Sequence, residues 1–260
     1  MAHANIEIQK ERLNSYQYNG DDINLAFYGI SNEDNLEKPR MFNVQAEFIP
    51  YQQNEAAHKT IWNYYKALIP RESRPNLVTF GIFLSSTTLG YFDTTATENW
   101  ITVINILSLE DISSLSSVEI HEYGHYLTLN NSQQTPSSEF VCHQEALYGC
   151  QTADSYINHF YLEFWQDIYP EWEKIRDSSK DYDQDIKLFY DTHKSMFINE
   201  YASTNPLEDI AESWTAFILA PTPSNNSITD QKINFFYQFP ELVELRFQII
   251  KGICTYKQAP

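Results

Sequence analysis

Long apolar runs are missing from this 260-residue chain. No stretch reaches the roughly 18 apolar residues a membrane-spanning helix needs, so no transmembrane segment is expected. Basic residues are scarce: 17 Lys and Arg face 35 Asp and Glu, for a formal net charge of −18. That balance argues against nucleic acid as a partner, because phosphate contacts need clusters of Lys and Arg. It is compatible with basic peptides, through long-range steering alone. Cysteine is sparse, with three in all and no CxxC pair, which removes thiolate metal sites of the finger type. Internal repeats and low-complexity tracts are absent as well. What remains is 42% hydrophobic with 15% aromatic residues, the composition of a folded globular chain.

Against that background one run stands out: His121-Glu122-Tyr123-Gly124-His125, which reads HExxH. On a helix, residues four apart share a face, so both imidazoles can meet one metal ion. Glu122 then sits beside the open position, where it can act as a base. The flanks suit a helix. Asp111 or a serine near it caps the start, and Val118, Ile120, Leu127 and Leu129 supply apolar contacts. Asn130-Asn131 ends it, since Asn tolerates the left-handed conformation at a helix C-terminus.

A catalytic zinc site needs a third protein ligand and an open fourth position. The metzincin continuation is excluded, because Thr128 and Asn131 stand where its Gly and third His would be. Downstream, Asn205-Pro206-Leu207-Glu208-Asp209-Ile210-Ala211-Glu212 opens a second helix, with Asn205 as its cap and Pro206 in its first position. Glu208 and Glu212 share a face of that helix. Asn205-x-x-Glu208 also fits a capping box, in which Glu208 would serve only the helix end.

HExxH followed by ExxxE resembles the gluzincins, the zinc peptidase clan with a Glu ligand on a second helix. A closer likeness is to the catalytic domain of the anthrax lethal factor and its relatives. The stretch from Cys142 to Trp172 also resembles uncharacterised exported bacterial proteins of zinc-peptidase type. The clan motifs cover two short segments, and the looser likeness runs over about residues 77–221. The resemblance implies one zinc ion per chain, held by His121, His125 and Glu208. It implies Glu122 as the proton carrier and Glu212 as the carboxylate that orients His121. Tyr201, seven residues before Glu208, matches a Tyr that stabilises the transition state in the lethal-factor group. His193 is the alternative donor for that role, and Asp209 the ligand if the site were of aspzincin type. The activity implied is hydrolysis of peptide bonds in a peptide or protein substrate. Three other functions stay open: an inactive metal-bearing binding or adhesion module, a non-metal helical interaction protein that carries HExxH by chance, and an amidase acting on a non-peptide amide.

The expected fold is α+β and zincin-like, a small mixed sheet and the HExxH helix above a mainly helical lower part. Residues 1–50 read as a separate β-rich element, with strands near 23–28 and 42–48. Residues 51–260 read as the catalytic domain, its upper part ending near 131 and its lower part covering 132–260. Within the upper part come a helix over 54–68 and strands over 77–84, 89–93 and 100–107. The middle one is expected at the sheet edge, where Gly90, Tyr91 and Phe92 would pair with an extended substrate. Helices follow near 153–176, 184–200, 206–219 and 229–251. Cys142 and Cys150 are spaced to bridge a short loop; the alternative is three reduced cysteines. A disulfide would fit a secreted or cell-surface bacterial protein. No secretory signal is legible, and Met1-Ala2-His3 reads as added sequence. The run from Lys180 to Asp185 lacks the Gly and distal Glu of a calcium loop and reads as a solvated loop. His58, His143 and His159 read as packed or surface residues rather than ligands.

Overall fold

The computed structural model describes residues 22–95, 99–135, 150–224 and 226–257. Among them the protein is mixed α+β, with a five-stranded mixed sheet and predominantly helical content. The chain divides into two units: Met1–Glu122 with Lys251–Pro260, and Tyr123–Ile250.

The first unit is built on the sheet. Its strands are β1 (Ile23–Gly29), β2 (Arg40–Met41), β3 (Leu77–Leu84), β4 (Gly90–Thr95) and β5 (Asn99–Asn105), in the order β2-β1-β3-β5-β4. Strands β3 and β5 run parallel and the other pairs antiparallel. The strand expected at the edge, β4, is there. Of the β-rich element expected over residues 1–50, the described strand β1 joins the same sheet as β3, pairing from Ile23↔Leu84 to Gly29↔Thr79. One expectation is corrected. The strand expected at 42–48 does not form. Only Arg40 and Met41 pair with β1, and Ala46–Phe48 is a 3-10 turn leading into the short helix α1 (Ile49–Gln52). The Leu25 carbonyl accepts from the Phe42 N–H at 3.3 Å and also from the side-chain amide of Gln52 at 2.9 Å, which donates as well to the Phe42 carbonyl at 2.8 Å.

Helix α2 (Glu55–Leu68) starts where Asn54 accepts a hydrogen bond from the Ala57 N–H. It buries Ile61, Trp62, Tyr65 and Leu68, and both Trp62 and Tyr65 pack on Phe80 of β3. Phe80 and its alternating neighbours form one sheet face. On the other, Phe27, Phe83, Ile101 and Val103 cluster with Phe42 and Tyr91. This two-sided burial explains the near-continuous apolar run of Phe80-Gly81-Ile82-Phe83 in β3.

Helix α3 (Ile112–Leu129) carries HEYGH. Asp111 caps it, accepting from the Ser113 and Ser114 N–H groups at 2.9 and 3.3 Å. Its other end differs from expectation. Asn130 is not left-handed; among the described non-glycine residues only Asp34 has positive φ. Instead its side-chain amide donates to the Tyr126 and Leu127 carbonyls at 3.0 and 3.1 Å, which caps the helix without turning the backbone.

The second unit contains the short pair β6 (Gln134–Thr135) and β7 (Cys150–Gln151), then α4 (Tyr156–Phe164), α5 (Tyr169–Ser178), α6 (Tyr182–His193), α7 (Pro206–Leu219), α8 (Ile228–Phe235) and α9 (Pro240–Lys257), whose last turns belong to the first unit. The helix expected over 153–176 is two helices, and so is the one over 229–251. In each case a proline, Pro170 or Pro240, opens the second helix, where its missing N–H costs nothing. The helix expected at 184–200 begins at Tyr182 and ends at His193. The core is aromatic: Phe160, Phe164, Trp165, Phe189, Phe197, Trp214, Phe217, Phe235 and Phe236 are all buried.

Candidate metal centre

Helix α3 positions the two imidazoles by its own geometry, one turn apart on one face. Helix α7 supplies the acid. Its cap, Asn205, accepts from the Leu207 and Glu208 N–H groups at 2.9 and 3.0 Å, with Pro206 in the first position. That fixes Glu208 in the first turn. Its carboxylate Oε2 lies 3.3 Å from His125 Nε2, and the two side chains are 18% and 11% exposed. One donor atom from each of His121, His125 and Glu208 falls within 4.8 Å of the others.

This donor set fits a zinc ion. Two ligands bound about 2.1 Å from one ion at tetrahedral angles stand about 3.4 Å apart, close to the His125–Glu208 separation. Two imidazoles and one carboxylate leave a fourth position open, the pattern of catalytic rather than structural zinc.

Gly124, between the two histidines, lets α7 approach. A Cβ built on it would lie 3.0 Å from the Trp214 ring and 3.3 Å from the Ala211 Cα, tighter than side chains normally pack. Gly90 does the equivalent for β4. A Cβ there would stand 2.7 Å from Val118 and 2.8 Å from the Glu122 carboxylate, so the edge strand runs directly against this buried side chain. Tyr91, next along, packs against Phe83 and donates its O–H to Asn24, while Phe92 stacks on Trp100 on the opposite face. Their side chains belong to the sheet.

The remaining residues are distributed as follows. Tyr201 opens a 3-10 turn, Tyr201–Ser203, and is 53% exposed. Glu212 accepts from the Asn199 amide at 2.6 Å, and the Asn199 oxygen accepts from the Ala202 N–H at 2.9 Å. Asn199 therefore ties the turn bearing Tyr201 to the helix bearing Glu208 and Glu212. Sequence reasoning passed it over, because an Asn before a turn signals only local capping. His193 pairs with Glu171 at 3.0 Å. Asp209 is fully buried and bonded to Trp165 and Lys232, which engages its carboxylate in the protein interior. Asp181 caps α6 and Asp185 accepts from Ser179, so the acidic run of 180–185 serves a helix start. His58 is packed between Tyr28 and the Tyr51 carbonyl. The ring of His159 lies against Phe239. Cys142 and His143 lie outside the described residues, as does the side chain of Cys150. Cys254 is free and exposed.

Burial governs the ionisation of the neighbouring groups. Glu119, fully buried on α3, has its carboxyl pushed well above the usual range by loss of solvent. Burial likewise raises Asp209 and lowers Lys232, each shift opposed by the attraction between them.

No family model matches the chain, and neither a curated protein nor a solved structure matches it.

Proposed function

We propose that this chain is a zinc-dependent peptidase of the gluzincin kind, with a zincin-like fold, hydrolysing peptide bonds. The observation that carries the reading is the convergence of His121, His125 and Glu208 within 4.8 Å, on a helix that also presents Glu122. Held by these three, zinc would supply a Lewis acid and make a water acidic enough to ionise near neutral pH. Glu122 takes the proton from the attacking water and returns it to the leaving amine. At 4% exposure it works out of bulk solvent. The Tyr201 O–H donates to the carbonyl oxygen as negative charge develops there. Glu212, steadied by Asn199, is assigned to orienting His121. The substrate lies extended along β4, bonded to the backbone of Gly90, Tyr91 and Phe92. A bacterial cell surface or its exterior is the proposed setting.

The test is metal content. Purified wild-type protein, examined by elemental analysis beside His125→Ala and Glu208→Ala, is expected to hold about one zinc per chain, lost in both variants. A folded wild type that takes up no zinc, even when zinc is added back, would sink the reading.

A further inference from the structure

Immediately after Glu208, the structure buries two opposite charges. Asp209 and Lys232 are each 0% exposed and form an ion pair at 2.5 Å. The Trp165 indole N–H donates to the same Asp209 oxygen at 2.7 Å. The ammonium of Lys232 sits among the rings of Phe160, Phe164 and Phe197, at 5.7, 5.7 and 4.5 Å from their centroids. These groups come from α4, the segment after it, the segment that follows α6, α7 and α8. They converge on the first turn of α7, the turn that carries Glu208.

Stability alone is a poor reason for this arrangement. Desolvating two charges generally costs as much as their attraction returns, and an apolar pair of the same volume often does as well. What a buried ion pair supplies that an apolar pair cannot is direction. Asp209 has one setting in which its carboxylate meets both the ammonium and the indole. The backbone beside it is thereby fixed in rotation about the helix axis. Glu208, one residue earlier, is aimed by that rotation, and its Oε2 sits 3.3 Å from His125 Nε2.

We propose that Lys232 and Trp165, acting through Asp209, are positioning residues that aim the Glu208 carboxylate at the metal. This inference rests on the metal-centre reading above. It assigns a role to Lys232, which lies 24 residues beyond Glu208 and belongs to no motif.

The experiment is a metal titration of the full chain. The double variant Asp209→Asn/Lys232→Met removes both charges together and keeps an acceptor for Trp165. Unfolding of the metal-free proteins is compared first, then zinc affinity by competition with a chromophoric chelator, then the visible absorption of the cobalt-substituted forms. The double variant is expected to unfold cooperatively within a few degrees of wild type. Its zinc affinity should fall about 10- to 100-fold. Its cobalt bands should weaken, as a misplaced carboxylate gives way to water. If the double variant fails to fold, Asp209→Asn alone is read in the same way, with loss of affinity expected again. A folded variant with zinc affinity and cobalt spectrum unchanged would overturn the proposal and leave the pair a packing feature. Absence of metal binding by the wild type would instead remove the metal centre itself, and the proposal with it.

Discussion

Two carboxylates on α3, Glu119 and Glu122, are both buried, yet their surroundings give them different work. Glu119 has no hydrogen-bond partner among the described residues, and burial pushes its carboxyl well above the usual range. Glu122 lies against Gly90 of the edge strand, one residue after a candidate ligand. Glu122→Gln keeps the shape and loses the base. It is expected to retain zinc in full and to abolish peptide hydrolysis; turnover near wild type would take Glu122 out of the mechanism. Tyr201 is tested by Tyr201→Phe, which should lower kcat about ten- to a thousandfold with little change in KM, the mark of a bond made only in the transition state. A silent Tyr201→Phe beside a damaging His193→Ala would pass the role to His193.

Between elements, contact distance decides which substitutions are tolerated. Ala in place of a mid-helix Gly ordinarily gains about 1 kcal/mol. At Gly124 the added methyl meets the Ala211 backbone at 3.3 Å and the Trp214 ring at 3.0 Å. Overpacking of that kind costs about 1–3 kcal/mol, so the cost wins. Gly124→Ala is expected to lower stability in urea and weaken zinc binding together; a net gain in stability would mean α7 is free to shift. His58 links β1, α1 and α2 in one chain of hydrogen bonds. Its Nε2 lies 3.0 Å from the Tyr51 carbonyl and its Nδ1 lies 2.7 Å from the Tyr28 hydroxyl. The neutral ring serves both contacts by donating at Nε2 and accepting the Tyr28 O–H at Nδ1, and burial lowers its pKa below 6.5. The unfolded chain therefore binds this proton more readily than the folded one. Stability from His58 is present above about pH 6.5 and is lost as pH falls through the lower folded value. Unfolding midpoints measured from pH 7.5 to 5 should decline in the wild type, and the decline should be shallower in His58→Gln.

At the scale of the whole molecule, charge and hydropathy set the outer terms. No helix among the described residues is long and apolar enough to cross a membrane. The excess of 35 acidic over 17 basic residues gives a negative field that reaches about 10 Å at 0.1 M salt. For a basic peptide substrate kcat/KM is expected to fall as ionic strength rises from 10 to 500 mM, and for an acidic one to rise. Equal salt responses for the two would show that the field plays no part in capture.

The sequence alone determined the local chemistry. HEYGH on a helix, the Asn205–Pro206 start of a second helix, the run of β3 and the edge strand β4 were all legible. Each depends on residues close in the chain, where periodicity and capping act directly. Tertiary structure decided what distant residues do to one another. Asn205-x-x-Glu208 reads as a cap or as a ligand, and only the tertiary structure brings its carboxylate to 3.3 Å from His125. The sequence marked Phe42–Phe48 as a strand because it alternates, but after the Phe42 N–H bonds the Leu25 carbonyl the chain turns into a 3-10 turn, and Gln52 donates to the Leu25 and Phe42 carbonyls. Asp209 and Glu208 are adjacent acids, indistinguishable by type. The fold sends one to a buried lysine and the other to a histidine, because successive residues on a helix point about 100° apart and meet different neighbours.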